Sequence, residues 1–225
     1  QQGTSCMRGA GSLVGNGLAS TSHYVNTGWA ANLTGSSWTI SFKTSNITPS
    51  ATLFYILGDN TAGSFRCFTN GVAGANNWLL RGGFADVLVT GGATVAPHTI
   101  TFVYDNTLNN IRAYLDGVLV NTVAQAAVTI TGTGPLKVGG YGANIGLPVG
   151  GLMDEFRMYN RAITAAEATA LAGCPSVGGP VCTGAPVTFT VRVNPSGTVN
   201  AVPNQSVCKG APTAPVNFTS TVPGT

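Results

Sequence analysis

The acidic residues and the histidines are the side chains of this 225-residue sequence that could carry out hydrolysis. A retaining glycosidase needs two carboxyl groups about 5 Å apart, and a serine hydrolase needs a histidine base beside its nucleophile. Asp154 and Glu155 are neighbours in a predicted strand, so we expect their side chains to point to opposite faces. The complete set is Asp59, Asp86, Asp105, Asp116, Asp154, Glu155 and Glu167, with His23 and His98.

The remaining acidic residues lie in sequence contexts that are typical of structural roles. Asp105 and Asp116 are in predicted turns, and Glu167 has the spacing of a helix cap. Neither histidine lies near a G-x-S-x-G nucleophile elbow. The sequence therefore predicts a protein that is not an enzyme, and a polysaccharide hydrolase is the least favoured alternative.

Aromatic side chains in loops are candidates for ligand binding, because the apolar face of a sugar ring stacks on them. Trp29 falls in a predicted polar loop over 27–37, and Tyr141 falls in a glycine-rich stretch over 139–144. Trp78 has polar neighbours that could bind sugar hydroxyls, although packing in the core is the simpler interpretation. The predicted ligand-binding residues are Trp29, Trp78, Arg81, Tyr141 and Asn144.

Many short apolar segments separated by glycine, asparagine and proline predict strands, with spacings of about 8–12 residues that are typical of a two-sheet sandwich. The clearest is Trp38–Thr44, and Asp116-Gly117 predicts a tight turn between two strands. The other predicted strands are 13–26, 51–58, 64–69, 77–80, 86–90, 99–104, 111–115, 118–123, 127–131 and 136–139.

The stretch from Gly151 to Gly173 predicts a strand followed by one short helix. Residues 151–160 alternate with a period of two, as in a strand with one face toward a core. Thr164-Ala-Ala-Glu167 has the spacing of a capping box, and Gly173 followed by Pro175 predicts the end of the helix. The fold class is therefore all-β, with one C-terminal helix after the last strand.

The same stretch resembles the closing motif of laminin-G-like (concanavalin-A-like) jelly-roll domains, which runs G-x-[ILM]-D-E-[VF]-R-[IVM]-[YW]-N-R-A-L-[ST]-x-x-E. His98-Thr-Ile-Thr-Phe-Val-Tyr-Asp and Ile111-Arg-Ala-Tyr-Leu-Asp-Gly are similar to the hairpin that precedes this motif in the family. Trp38-Thr-Ile-Ser-Phe resembles an early strand of the same domains. The resemblance covers about residues 8–173 and implies a jelly-roll sandwich.

Family members often hold a calcium ion at the rim of the sandwich, so the resemblance implies calcium as a candidate cofactor. Asp59, Asn60 and Asp154 are the predicted ligands, and an Asx turn is the competing interpretation of Asp59. Relatives that are glycosidases carry E-x-D-x-x-E on one strand, which is absent from this sequence.

The five cysteines include no C-x-x-C pair, which favours disulfides over a zinc site. Because the first and last strands lie close together in this jelly roll, the resemblance implies a Cys6–Cys174 disulfide, and Cys174–Cys182 is the alternative. Cys67 alternates in phase with Phe65, which predicts a buried free thiol.

The sequence after Gly173 changes character, so we predict a jelly-roll domain over 1–173, a Pro/Gly linker over 174–185 and a partial β segment over 186–225. Cys182–Pro195 and Val202–Thr213 resemble the junctions between PKD-like, immunoglobulin-like repeats of large bacterial surface proteins. That resemblance implies a fragment of a longer exported chain, often secreted by the type IX route, with Cys208 paired outside the sequence.

Composition restricts the classes of partner. Only 8% of residues are charged against 44% hydrophobic, and the net charge of +3 comes from scattered basic residues, which argues against nucleic acid. No apolar run reaches the length needed to span a bilayer. We therefore predict an extracellular, cell-surface adhesin or carbohydrate-binding module that binds a glycan or another surface ligand on a repeat stalk. The alternative is a filament subunit that self-associates through strands 188–193 or 216–219.

Overall fold

The computed structural model describes residues 12–17, 24–59, 61, 64–142, 145–173, 204–205, 210 and 212–217. The chain divides into two compact units, Gln1–Gly179 and Pro180–Thr225. Every described strand and the one described α-helix belong to the first unit. Cys6, Cys174, Cys182 and Cys208 lie outside the described residues, as does most of the predicted β segment, so the disulfide and the repeat junction stay predictions.

The first unit is a jelly-roll sandwich of two six-stranded antiparallel sheets, as the sequence predicted. Sheet A has the order β1-β12-β3-β8-β9-β10, and sheet B has the order β2-β11-β4-β5-β6-β7. The strands are β1 Leu13–Val14, β2 Val25–Asn32, β3 Trp38–Ser45, β4 Phe54–Gly58, β5 Arg66–Thr69, β6 Trp78–Gly82, β7 Phe84–Val89, β8 His98–Asp105, β9 Asn110–Leu115, β10 Val118–Ala124, β11 Thr131–Val138 and β12 Leu152–Tyr159.

Alternating side chains of both sheets fill the space between them. In β3, Trp38, Ile40 and Phe42 are fully buried in this core, and burying each such side chain contributes about 1.5–3 kcal/mol. Cys67 is also buried in the core as a free thiol, which confirms its prediction, and burial raises its pKa well above the usual value.

Strand β12 departs from the predicted alternation because it contains a β-bulge. Asp154 pairs with Lys43 and Arg157 with Ser41, so Glu155 and Phe156 together oppose one residue of β3. Glu155 takes a positive φ of 50° at this point. The predicted strict alternation over 151–160 was therefore wrong, because Met153 and Phe156, an odd number of residues apart, both pack in the core on either side of the bulge.

Two predicted boundaries in sheet B were also wrong. Residues 27–32, predicted as a loop, belong to edge strand β2, whose residues are exposed except for Ala31. Residues 127–131 and 136–139, predicted as two strands, are replaced by the single strand β11, which pairs with both β2 and β4. The pairing of β11 with β2 shifts register on both sides of Pro135, which lacks an N–H for the ladder.

A short helix, α1 (Ala165–Ala172), packs on the outer face of sheet A. The predicted capping box is confirmed: Thr164 Oγ1 accepts the Glu167 N–H at 3.2 Å, and Glu167 Oε2 accepts the Thr164 N–H at 2.8 Å. Gly117, in the predicted Asp116-Gly117 turn, lies so close to α1 that a Cβ would come within 2.6 Å of the Thr169 Cα. Within the described ranges, no helix is long and apolar enough to cross a membrane.

Candidate ligand-binding face

The outer face of sheet B carries a line of cationic side chains that crosses the strands. Lys137 of β11 pairs with Gly58 of β4, Gly58 pairs with Arg66 of β5, and Arg66 pairs with Arg81 of β6. Cys67 and Leu80, the strand neighbours of Arg66 and Arg81, are buried in the core, so both arginines point outward. We call Lys137, Arg66 and Arg81 the cationic row.

An apolar row runs beside the cationic row, two residues away along β5 and β6 and three along β4, where the register shifts. Tyr55 pairs with Phe68, Phe68 with Leu79, and Leu79 with Leu88. These side chains form a cluster apart from the main core, in which Phe68 and Leu79 are buried while Tyr55 and Leu88 are half-buried. On the outer face of sheet B, the accessible side chains of this row are therefore Tyr55 and Leu88, which lie beside the cationic row.

Tyr141 lies over Gly58, the position between Lys137 and Arg66 on the neighbouring strands. A Cβ at Gly58 would come within 2.8 Å of the Tyr141 Cδ2, so only glycine lets the ring approach the sheet this closely. The Tyr141 ring stacks on Tyr55 with centroids 4.4 Å apart, and the Arg66 guanidinium lies 5.5 Å from its centroid. Burial raises the pKa of the neighbouring Tyr55.

The other two cations of the row are also held against aromatic rings. Lys137 Nζ lies 5.4 Å from the centroid of Tyr24, and the Arg81 guanidinium lies 5.6 Å from that of Phe68. Arg81 Nε also donates to Asp86 Oδ1 at 2.8 Å, and Arg81 Nη2 pairs with Asp86 Oδ2. The arginine holds the pKa of the Asp86 carboxyl below its usual value.

The positive charges of the row exceed the negative charge that is paired with them. Asp86 forms an ion pair with Arg81, whereas neither Arg66 nor Lys137 has a carboxylate partner in the part of the chain that the structure describes. Lys137 Nζ makes one long contact, 3.5 Å to the Gly142 carbonyl oxygen. The face thus presents N–H donors and positive charge beside half-buried tyrosine rings.

The predicted ligand-binding residues fall in different parts of the fold. Arg81 and Tyr141 are both on the outer face of sheet B, whereas Trp29 is 38% exposed on edge strand β2 rather than in a loop. Trp78 is fully buried, and its indole N–H donates to the Gly92 carbonyl at 3.0 Å, so its prediction as a ligand contact is corrected to a core role. Asn144 lies outside the described residues.

The described oxygen atoms of the predicted calcium ligands are engaged within the chain. Asp59 is 4% exposed, and its carboxylate accepts the Thr61 N–H at 3.0 Å and the Thr61 hydroxyl at 2.6 Å, which is the competing Asx turn. A Cβ at Gly132 or Gly134 would lie 2.7 Å from this carboxylate, which shows how closely β11 covers it.

Asp154 belongs to the other sheet, where its carboxylate accepts the Glu155 N–H at 2.7 Å and the Ser12 hydroxyl at 3.4 Å. Among the described residues, no group of three His, Cys, Asp or Glu side chains could hold a metal ion, and Asn60 is outside them. The described residues therefore do not fit the calcium site, and calcium stays a prediction.

Sequence reasoning missed Arg66, Lys137 and Tyr55, which complete the face. A signal for Arg66 was present: once Cys67 is predicted to be buried, strand alternation places Arg66 on the opposite, outer face. No comparable signal marked Lys137, because its position opposite Gly58 depends on the pairing of β11 with β4, strands far apart in the chain.

Comparisons with known proteins agree with this architecture. Residues 19–169 match the laminin-G-like family described as the concanavalin A-like lectin/glucanases superfamily. No curated protein matches the chain.

Among solved structures, the receptor binding domain of botulinum neurotoxin D aligns with a TM-score of 0.52 and 11% identity over 73% of this chain and 46% of that chain. The binding domain of Paraclostridial Mosquitocidal Protein 1 aligns with a TM-score of 0.48 and 14% identity over 66% of this chain and 39% of that chain. This chain spans less than half the length of either structure, and identities this low show a shared fold alone.

Proposed function

Because the chain belongs to the concanavalin A-like lectin/glucanases superfamily, we propose that it is a non-enzymatic domain that binds glycan on the outer face of sheet B. The observation that carries this proposal is the adjacency of the cationic row and the half-buried rings of Tyr55 and Tyr141 on one sheet face. A sugar ring offers an apolar face for stacking and hydroxyl groups for hydrogen bonds, and the tyrosine rings and the cations offer the matching groups.

The absence of a suitable carboxylate pair on this face supports binding over hydrolysis. Asp86 is the acidic residue paired with the row, and it is engaged by Arg81. Glycoside hydrolysis needs two carboxyl groups across the scissile bond, one of them protonated. On sheet A, Glu155 is paired with Arg157 and Asp154 accepts two hydrogen bonds, so neither carboxylate is available as a general acid in the described arrangement.

We place this domain in an extracellular adhesin, on the basis of the cysteine content and the resemblance of the C-terminal sequence to repeat junctions. In this proposal the domain is the binding tip and the repeats form its stalk. The filament alternative depends on strands 188–193 and 216–219, which lie largely outside the described residues, and it stays a prediction.

A glycan array probed with the full chain, with calcium and with a chelator, tests the proposal. We expect binding in both conditions, because the contacting groups on this face are cations and aromatic rings rather than metal ligands. Tyr141→Ala should weaken binding about tenfold or more, since truncated aromatic anchors commonly cost more than about 1 kcal/mol.

Tyr159→Ala is the matched control, because Tyr159 is a half-buried tyrosine on the outer face of sheet A. We expect this variant to bind glycan as the unaltered chain does. The proposal fails if the array shows no bound glycan in either condition, or if Tyr141→Ala binds as well as Tyr159→Ala.

A further inference from the structure

We infer that the glycan bound by this face is acidic, with sugar carboxylates that bind the cationic row and Arg66 at its centre. The inference rests on the proposed function, because it assigns a ligand class to the same face. It goes beyond that function in predicting that the charge of the sugar, and not its shape alone, determines binding.

The first support is the direct cross-strand pairing of Arg66 with Arg81. Side chains at directly opposed positions have Cβ atoms about 4.5–5.5 Å apart, and like charges there destabilise a sheet. Asp86 pairs with Arg81 and its charge also attracts Arg66, although it forms no hydrogen bond with Arg66 in the described part of the chain. A bound anion between the two guanidinium groups would relieve the remaining repulsion.

The second support is the set of contacts that Arg66 makes. Its guanidinium lies 5.5 Å from the centroid of the Tyr141 ring, a cation–π contact. The N–H groups of an arginine lie in the plane, where they can bind a carboxylate through two parallel hydrogen bonds. Since no carboxylate of the described residues accepts from Arg66, these donors are open to a ligand.

The third support is the distribution of charge along the row. Neighbouring strands are about 4.8 Å apart, so Lys137 and Arg66, two strands apart, are separated by about 10 Å at their backbones. The row is therefore elongated across the strands, which matches a chain of charged sugars better than a single small anion.

The half-buried tyrosine rings beside the cationic row favour a sugar over an acidic peptide. Tyr141 stacks on Tyr55, and its ring centroid lies 5.5 Å from the Arg66 guanidinium. A uronic acid carries its carboxylate on a ring with an apolar face, so one sugar unit contacts a tyrosine ring and Arg66 together. An aspartate or glutamate side chain has no such ring, and the tyrosines would have no counterpart.

The test compares polygalacturonate with its methyl ester, which has the same sugar backbone without the charge. Titration calorimetry of the full chain at low and raised salt should show about tenfold tighter binding of the acid than of the ester. Sulfated dextran, added as a third ligand, distinguishes recognition of carboxylate from recognition of any anion, and the inference expects weaker binding of the sulfated polymer.

Three variants locate the contact. Arg66→Gln should weaken polygalacturonate binding about tenfold or more, and Asp86→Asn should strengthen it because Arg81 is released from its ion pair. Arg157→Gln is the matched control, since it removes the same charge from sheet A and should leave binding unchanged. Thermal melting of each variant checks that it is folded.

Several outcomes overturn the inference, and they leave the proposed function separately testable. Equal binding of the acid and the ester would show that charge plays no part, while loss of both ligands in Tyr141→Ala would still support glycan binding on this face. Equal weakening by Arg66→Gln and Arg157→Gln would show that only overall charge matters.

Binding of polyglutamate as tightly as of polygalacturonate, with the same dependence on Arg66, would assign the face to an acidic peptide. Tighter binding of sulfated dextran would assign it to sulfated sugars.

Discussion

The outer faces of the two sheets both carry charged residues, but the two faces differ in how far these charges are paired within the chain. On sheet A the charges are matched within the chain: Glu155 pairs with Arg157, and Asp105 pairs with Arg112 at 3.1 Å. On sheet B, Arg66 and Lys137 have no carboxylate partner among the described residues. This difference is the basis for our proposal that the charges of sheet B bind a ligand, whereas those of sheet A serve the fold.

Lys43 is a buried cation of sheet A whose charge is also compensated within the chain. It is 4% exposed, lies opposite Asp154 and donates to the Gly173 carbonyl at the end of α1 at 3.3 Å. Burial lowers its pKa, while the nearby Glu155 and Asp154 raise it. A cation at a helix C-terminus is also favourable. Lys43 therefore helps to hold α1 on the sheet, a role that no residue of the cationic row has.

The largest difference between the two faces should appear when one tyrosine of each is removed. Tyr114 is 2% exposed and packs with Val103, Ile163 and Ala168 under α1, whereas Tyr141 is half-buried. Tyr114→Ala should lower the free energy of unfolding by about 3–5 kcal/mol. Tyr141→Ala should lower it by less than about 1.5 kcal/mol while weakening glycan binding. Urea denaturation of both variants measures this, and equal destabilisation would contradict a division between structure and binding.

A smaller difference in stability is expected between variants of the buried Lys43 and of the half-exposed Lys137. Lys43→Met should cost about 1–3 kcal/mol, because the Gly173 carbonyl loses its donor and Asp154 loses its opposing charge. Lys137→Met should stay within about 0.5 kcal/mol, as expected for a half-exposed position. The midpoints of urea unfolding report both values, and a neutral Lys43→Met would mean that the contacts of Lys43 with Gly173 and Asp154 contribute nothing net to stability.

The sequence predicted the architecture because strands and caps are encoded locally. Alternation over Trp38–Ser45 and the spacing of Thr164 and Glu167 were each sufficient for a correct prediction. The bulge at Glu155 was not predicted, because a run of eight alternating residues gives no sign that two of them oppose one partner residue. Registers of this kind are set by the neighbouring strand rather than by the strand itself.

The candidate face was only partly predictable for the same reason. Tyr141 was identified from its glycine-rich stretch and Arg81 from the polar surroundings of Trp78, but their place on one surface depends on pairings among β11, β4, β5 and β6. Trp78 shows the opposite error, since polar neighbours suggested a ligand contact while its strand placed it in the core. Local composition thus identifies candidates, and long-range pairing decides which of them meet.

Lowering the pH should produce the smallest change in stability, and protonation should have different consequences on the two faces. The ion pair with Arg161, followed by the backbone N–H of Thr164, lowers the pKa of Glu167 to about 2 from its ordinary value of 4.5. Because the folded-state pKa is below the unfolded one, the stabilisation is present above pH 4.5 and is lost as the pH falls toward about 2.

Melting temperatures measured across that pH range should therefore fall less in Glu167→Gln than in the unaltered chain, and identical slopes would contradict the assignment. On sheet B the hydrogen bond with Arg81 lowers the pKa of Asp86 as well, so this ion pair resists acid better than an isolated aspartate would. Protonation of Glu167 removes an anchor of α1 from sheet A, whereas protonation of Asp86 adds positive charge to the face of sheet B.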